Sequence, residues 1–126
     1  MNERESPVQR ILVADDDASI LHLFRLLADE LGLACEAAED GDQAEAALAH
    51  GPYACIFLDL YMPGTTTQEL LSKAKRLYPD TPRMIITAED NEESMRDAFA
   101  LGATAYLTKP LRPGVLREII AKHTAA

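Results

Sequence analysis

The sequence has little cysteine, little basic charge and no long apolar segment. Its two cysteines, Cys35 and Cys55, lie inside apolar runs that are typical of strands. This placement predicts small buried thiols in a reducing compartment rather than a disulfide or a metal pair. No apolar run approaches the roughly 20 residues that a membrane-spanning helix needs, so we expect no such helix and no membrane partner.

Basic residues are outnumbered by acidic ones, 12 to 21, which gives a formal net charge of −9. Binding to nucleic acid depends on Lys and Arg that neutralise phosphates, so this charge disfavours direct contact with nucleic acid. Cations and basic protein surfaces are better candidates for partners. Residues 1–7 are polar and lack the apolar segment of a secretory signal, which predicts a cytoplasmic protein.

Short apolar runs alternate along the chain with segments of helical spacing. Each run is typical of a strand buried on both faces, and each is followed by apolar residues three or four positions apart. The predicted strands cover residues 11–14, 33–38, 53–58, 84–86 and 105–108. With 126 residues the chain has the usual size of one domain. Five strand–helix units predict an α/β fold with a doubly wound parallel sheet and helices on both faces.

Several residues mark where the predicted helices begin and end. Asp17 is placed to cap the first helix rather than to bind a ligand, and Gly32 to end it. Asp90 or Asn91 can cap the fourth helix, and Pro113 lies near the first turn of the last. The spacing in the last helix predicts four inward residues, Val115, Leu116, Ile119 and Ile120.

Polar residues stand at the carboxyl ends of the predicted strands, where sheets of this kind bind ligands. Asp15 and Asp16 end the first strand, Asp59 the third and Thr87 the fourth, and Lys109 follows the fifth. Three carboxylates about 4 Å apart repel one another by about 4 kcal/mol per pair at an effective dielectric near 20. Such a cluster predicts a bound cation, and oxygen ligands without His or Cys favour Mg²⁺.

Asp59 is the predicted nucleophile of this site, because a carboxylate can form an aspartyl phosphate. Mg²⁺ and the charge of Lys109 would neutralise the phosphoryl oxygens, and the Thr87 hydroxyl could donate to one of them. Taken singly, Asp15 and Asp16 could be turn acids. Their joint placement with the other residues favours a site. Three histidines are predicted to lie outside it, on the surface: His22, His50 and His123.

Four separated motifs carry a resemblance to a known family. They cover residues 11–17 (ILVADDD), 58–64 (LDLYMPG), 86–88 (ITA) and 109–110 (KP), in that order. With them, the chain from about Arg10 to Lys122 resembles the receiver domain of two-component response regulators. The resemblance implies a CheY-like, flavodoxin-like (βα)5 fold with the strand order 2-1-3-4-5. We expect residues 1–9 to form a short N-terminal tail and residues 10–126 a single receiver domain.

The resemblance also implies roles for the site residues. Asp59 would take a phosphoryl group from a phosphohistidine of a sensor histidine kinase or a histidine phosphotransfer protein. Asp16, Asp59 and the backbone carbonyl of Tyr61 would bind Mg²⁺ directly. Asp15 would act through water or by pairing with Lys109, and the peptide bond between Lys109 and Pro110 would be cis.

The response to phosphorylation is assigned by the same resemblance. Thr87 would move toward the phosphoryl group, and Tyr106 would follow it inward as an aromatic switch. Tyr61 and Glu89 would control access to the phosphoryl group. The fourth helix, fifth strand and fifth helix would then bind a downstream protein, in a phosphorelay switch that is not a turnover enzyme.

The sequence departs from the family pattern at several positions. Thr67 stands where a Gly is usual, within an unusual run of three threonines, and Ala54 replaces a commonly acidic residue. Thr104-Ala105 replaces an acidic pair found in receivers that dimerise through the output face, so we expect a monomer or a weak dimer.

Three other functions remain open from the sequence. The chain could be a receiver excised from a hybrid kinase or a multidomain regulator. An aspartate-nucleophile phosphatase would also use Mg²⁺ and a phosphorylated Asp, but it needs a second Asp where Tyr61 stands. A degenerate receiver that only binds a partner is disfavoured, because the predicted phosphorylation residues are all present.

Overall fold

The computed structural model describes residues 8–124, so the predicted tail at residues 1–9 lies mostly outside the described part of the chain. Within that part, five strands alternate with five helices. The elements are β1 (Arg10–Ala14), α1 (Ala18–Glu30), β2 (Ala34–Ala38), α2 (Gly41–Leu48), β3 (Cys55–Asp59), α3 (Thr67–Leu77), β4 (Arg83–Thr87), α4 (Glu92–Ala100), β5 (Ala105–Thr108) and α5 (Pro113–Thr124).

The strands form one parallel sheet in the order β2-β1-β3-β4-β5. The predicted fold class and strand order are therefore confirmed. All five residues of β3 and all five of β4 are buried, as their continuous apolar runs indicated. The edge strand β2 has alternating burial instead, which explains its weaker apolar pattern.

The core has two halves, one on each face of the sheet. Because successive strand residues point to opposite faces, Leu12 belongs to the half that α2, α3 and α4 cover, and Ile11 to the half under α1 and α5. In the second half, the rings of Phe24 and Phe57 lie with their centroids 4.7 Å apart. This packing fixes the sheet between its helices and holds the carboxyl ends of the strands in place.

Helix ends match the capping residues predicted from the sequence. Asp17 caps α1 by accepting a hydrogen bond from the Ser19 N–H, and Asn91 rather than Asp90 caps α4. Gly32 follows α1 with a φ of 73°, a left-handed conformation that glycine adopts without strain.

The prediction that Val115 of α5 faces the core is wrong. Val115 is 48% exposed, whereas Leu116 and Ile120 are almost fully buried. Leu116 and Ile120 lie one helical turn apart and form the centre of the inward stripe, so Val115 falls at its flank. There it lines an open apolar groove between β5 and α5.

Both cysteines are free thiols. They lie on either side of Ile11 in the sheet, since each is paired with that residue. Burial raises the pKa of Cys35 to about 11 and that of Cys55 to about 12. The thiols therefore stay protonated at neutral pH. Cys55 is buried as predicted, whereas Cys35, on the edge strand β2, is only partly buried. Within residues 8–124, no helix is long and apolar enough to cross a membrane.

Candidate functional site

Three carboxylates meet at the carboxyl ends of β1 and β3. The two strands are neighbours, and Ala14 is aligned with Leu58, so the residues that follow them come side by side. Asp15, Asp16 and Asp59 each place one oxygen within 4.8 Å of the others. Asp15 is completely buried, Asp59 is 7% exposed and Asp16 faces solvent. The structure thus brings together the cluster that the sequence predicted.

The three consecutive aspartates after β1 have three different environments. Asp15 accepts a hydrogen bond from the Asp17 N–H at 2.8 Å, which orients its buried carboxylate. Asp17 is occupied as the cap of α1, where hydrogen bonds from Ser19 lower the pKa of its carboxyl. Asp16 lines an open crevice of about 430 Å³ beside the β3–α3 loop. Of the three, Asp15 and Asp16 therefore belong to the cluster, and Asp17 does not.

Lys109 supplies positive charge to the cluster. Its Nζ lies 2.9 Å from Asp15 Oδ2 and 3.8 Å from Asp59 Oδ1. Its N–H donates to the carbonyl of Thr87, and the peptide bond to Pro110 is cis, as the resemblance implied. Burial acts to lower the pKa of Lys109, but Asp15 and Asp59 outweigh it and raise the pKa. The side chain is therefore a permanent cation at physiological pH.

Burial and the neighbouring carboxylates both raise the pKa of Asp59, and the single ammonium of Lys109 does not offset them. Burial and then the charge of Asp15 raise the pKa of Asp59 to about 6, with a smaller contribution from Asp16. Lys109 and the backbone N–H of Tyr61 act in the opposite direction but do not cancel the shift. A divalent cation would remove this repulsion. Because every ligand atom in the cluster is a carboxylate oxygen, the site fits a hard cation such as Mg²⁺.

A second group of polar contacts is centred on Glu89. Its N–H donates to Thr87 Oγ1 at 3.1 Å, and its carbonyl accepts from the Tyr106 hydroxyl at 2.9 Å. Its carboxylate accepts from the Tyr61 hydroxyl, with distances of 3.0 and 3.1 Å to the two oxygens, and from Ser94 Oγ. Glu89 thus connects the residues predicted for switching and for access. Ser94, in the first turn of α4, is in no motif and was not predicted.

The three threonines after Asp59 each have a defined contact. Thr65 donates through its N–H and its hydroxyl to Asp42 Oδ1, at 3.0 and 2.9 Å. Thr66 caps α3: its Oγ1 accepts from the Glu69 N–H at 3.2 Å, and its hydroxyl donates to the Glu69 carboxylate at 3.1 Å. Thr67 is 2% exposed, and its hydroxyl donates to the backbone carbonyl of Asp59 at 2.6 Å.

Close packing against Gly41, the first residue of α2, also holds the loop between β3 and α3 in place. The Gly41 N–H donates to the carbonyl of Pro63 at 2.8 Å. A Cβ on Gly41 would lie 1.8 Å from the carbonyl oxygen of Thr65, so only glycine fits there. The spacing of Thr66 and Glu69 was visible in the sequence. The contact of Thr65 with Asp42 joins distant segments, and that of Thr67 with Asp59 depends on how the loop folds back, so neither had a periodic signal.

The family is decided by the match to a sequence model of the response regulator receiver domain, which extends over residues 11–121. The chain belongs to this family. Its receiver domain is 34% identical over 114 residues to the phosphate regulon transcriptional regulatory protein PhoB of Pseudomonas aeruginosa, which covers 89% of this chain and 48% of that protein.

Solved receiver structures agree in fold with this receiver domain. The CheY-like receiver domain protein of Methanospirillum hungatei superposes with a TM-score of 0.84 at 28% identity, covering 92% of this chain and 93% of that one. The chemotaxis response regulator CheY4 of Vibrio cholerae gives a TM-score of 0.83 at 28% identity, covering 93% and 99%. In contrast, the chain spans only a quarter to a half of the length of the curated relatives it matches.

Proposed function

We propose that this receiver domain is a phosphorylation-controlled switch in which Asp59 accepts a phosphoryl group from a phosphohistidine. One observation carries the proposal. The Asp59 carboxylate lies within 4.8 Å of Asp15 and Asp16 and 3.8 Å from the Lys109 ammonium. This arrangement supports the proposal, because phosphoryl transfer to a carboxylate needs a divalent cation and a fixed positive charge beside the nucleophile.

In the proposed reaction, a carboxylate oxygen of Asp59 attacks the phosphorus atom. The P–N bond of the phosphohistidine breaks, and the leaving imidazole keeps the electron pair and takes a proton from solvent. Lys109 would hold positive charge next to the transferred oxygens, and the Thr87 hydroxyl would donate to one of them. A bound Mg²⁺ would neutralise phosphoryl charge, held by Asp16, Asp59 and the Tyr61 carbonyl, with Asp15 acting through water or through Lys109.

The proposed response passes through Glu89. When Thr87 turns its hydroxyl toward the phosphoryl group, it gives up its contact with the Glu89 N–H. Tyr106, a residue of β5, donates a hydrogen bond to the carbonyl of Glu89, so a shift of Glu89 would change the position of the Tyr106 ring. The surface of α4, β5 and α5 would then favour one of two conformations and bind a protein partner.

The proposed partners follow from this chemistry. A sensor histidine kinase or a histidine phosphotransfer protein would donate the phosphoryl group, and the downstream target would be a protein. The curated relatives are longer transcriptional regulators, which favours the reading that this receiver acts within or beside a larger regulator. We propose that the receiver itself makes no direct contact with nucleic acid and acts as a monomer or weak dimer.

The test is to incubate the protein with Mg²⁺ and acetyl phosphate and to measure its intact mass. We expect one added phosphoryl group, stable to acid and labile to base. Asp59→Asn should abolish the adduct, and the matched control Asp90→Asn, an exposed acid near the site, should retain it. An undiminished adduct on Asp59→Asn, or none on the wild type, contradicts the proposal. Repeated turnover of a phosphomonoester would indicate a phosphatase instead.

A further inference from the structure

Thr67 is the first residue of α3 and the only one of the three consecutive threonines whose side chain forms a hydrogen bond with Asp59. Its hydroxyl donates a 2.6 Å hydrogen bond to the Asp59 carbonyl, and both residues are more than nine-tenths buried. We propose that Thr67 is a positioning residue for the phosphoacceptor: its hydroxyl fixes the backbone of Asp59 and thereby sets the affinity for Mg²⁺ and the rate of phosphorylation. This inference rests on the function proposed above.

The end of β3 explains why Asp59 needs this contact. On the β1 side, the ladder stops at the pair Ala14 and Leu58, one residue before Asp59. Asp59 is paired only with Ile86 of β4. The carbonyl of Asp59 therefore lies at a point where regular pairing with β1 has ended. The Thr67 hydroxyl provides its hydrogen bond there, so the peptide plane that follows the phosphoacceptor has a fixed orientation.

The same hydrogen bond closes the loop that contains the Tyr61 carbonyl, the proposed backbone ligand of Mg²⁺. The loop of residues 60–66 begins directly after Asp59 and ends directly before Thr67. The contacts of Thr65 with Asp42 and of Gly41 with Pro63 attach it to α2, but neither reaches Asp59. The Thr67 bond joins the two ends of the loop, so it links the orientation of the Asp59 carboxylate to that of the Tyr61 carbonyl.

The chemistry of the bond requires a hydroxyl. The resemblance described above implies Gly at this position, and Gly has no side chain to donate. The test of Thr67 must therefore remove its hydrogen-bond donor without changing the size of the side chain. Valine has the same shape without the donor, and serine has the donor without the methyl group. These two substitutions separate hydrogen bonding from packing.

The chain offers a matched control at the opposite end of the sheet. The Thr81 hydroxyl donates to the carbonyl of Tyr53 at 3.1 Å, between the residues that precede β4 and β3. Thr81→Val thus also removes a hydrogen bond from a threonine hydroxyl to a backbone carbonyl. It affects stability without touching the carboxyl ends of the strands.

The experiment measures the Mg²⁺ dissociation constant by amide NMR shifts and the initial rate of phosphorylation by acetyl phosphate. For Thr67→Val we expect about a tenfold weaker Mg²⁺ affinity, the low end of what removing a supporting contact costs at metal sites, and a correspondingly slower rate. Thr67→Ser and Thr81→Val should both bind Mg²⁺ within about twofold of the wild type. If Thr67→Val does not fold, Thr67→Ala takes its place, with the same expected loss.

Two results would overturn the inference. Equal Mg²⁺ affinities in the wild type and Thr67→Val would show that the hydroxyl does not position the site. An equal loss in Thr81→Val would show that the effect is one of general stability. Both leave the phosphoacceptor function intact, because the wild type would still take up a phosphoryl group. A wild type that neither binds Mg²⁺ nor becomes phosphorylated would contradict the proposed function and this inference together.

Discussion

The Asp59 carboxylate destabilises the fold when no cation is bound, because its pKa is raised from 3.8 to about 6. A carboxyl group whose pKa is higher in the folded protein than in the unfolded protein holds its proton more tightly when folded, so protonation stabilises the fold. This stabilisation is complete below the unfolded pKa and is lost as the pH rises through the folded pKa. In the metal-free protein, stability from this group is therefore present near pH 4 and lost above about pH 6.

Asp59→Asn removes this dependence, since the amide stays neutral. In EDTA, we expect the substitution to raise the free energy of unfolding by about 2 kcal/mol at pH 7.5 and to leave it nearly unchanged at pH 4. Urea titrations at the two pH values measure it, with Asp90→Asn as the control. A loss of stability at pH 7.5 would show that the carboxylate is not repelled in the folded state.

Tyr61 is 61% exposed, yet its hydroxyl is held by the Glu89 carboxylate at the edge of the site. A bulky ring fixed there would screen the proposed acyl phosphate on Asp59 from attacking water, so we predict that it prolongs the phosphorylated state. Tyr61→Asn should lose phosphate several-fold faster, in decay assays that follow the phosphorylated mass after the donor is removed. Decay as slow as that of the wild type would argue against screening.

Tyr61→Phe separates the effect of the ring's bulk from that of its fixed orientation, because it keeps the ring and loses the hydrogen bond to Glu89. If the fixed orientation matters, its decay rate lies between those of the wild type and Tyr61→Asn. If bulk alone matters, Tyr61→Phe decays as the wild type does.

At the scale of elements, Arg83 joins β4 to two connections at the amino-terminal end of the sheet. It is only 6% exposed, and burial lowers its pKa. Its Nε donates to the carbonyl of Gly102 at 2.7 Å and its Nη1 to that of Thr81 at 2.8 Å, with longer contacts to the carbonyls of residues 78 and 79. The guanidinium thus binds the α3–β4 and α4–β5 loops at once.

Arg83→Met leaves one buried and three part-buried contacts to backbone carbonyls without their donor, so we expect a loss of about 3 kcal/mol in the free energy of unfolding. Phosphorylation of the folded fraction should not change, because the contact lies at the end of the sheet away from Asp59. Chemical denaturation and the acetyl phosphate assay measure the two effects. The exposed Arg96→Met is the control, and a similar cost there would rule out this role for Arg83.

The elements themselves could largely be predicted from the sequence. Apolar runs marked the strands, and Asp17, Asn91 and Pro113 marked where helices begin, since capping is local chemistry. The strand order came from resemblance rather than from pattern. Val115 was misassigned because helical spacing gives a stripe but not its exact edge.

The charged residues of the site could be predicted from the sequence. The residues that hold them in place by hydrogen bonds could not. Strand ends brought Asp15, Asp59 and Lys109 together, as parallel topology requires. The contacts of Ser94 with Glu89 and of Thr67 with Asp59 depend on how α4 and α3 lie over the sheet. Such tertiary contacts leave no periodic signal in the chain.

For the whole molecule, the net charge of −9 and the carboxylate cluster together predict stabilisation by a divalent cation. Because a ligand that binds only the folded state stabilises it in proportion to the logarithm of its concentration, Mg²⁺ should raise the melting temperature at pH 7.5. Asp16→Asn should reduce that rise. NaCl at matched ionic strength is the control, and an equal effect of both salts would indicate screening instead of a specific site.

The central claim is that Asp59 carries the phosphoryl group, and the most direct test locates the modified residue chemically. Borohydride reduces an aspartyl phosphate to homoserine, which peptide mass spectrometry can assign to a position. After treatment with Mg²⁺ and acetyl phosphate, we predict homoserine at position 59 alone. Homoserine at Asp15 or Asp16, or none in a protein that has gained a phosphoryl group, would contradict the account.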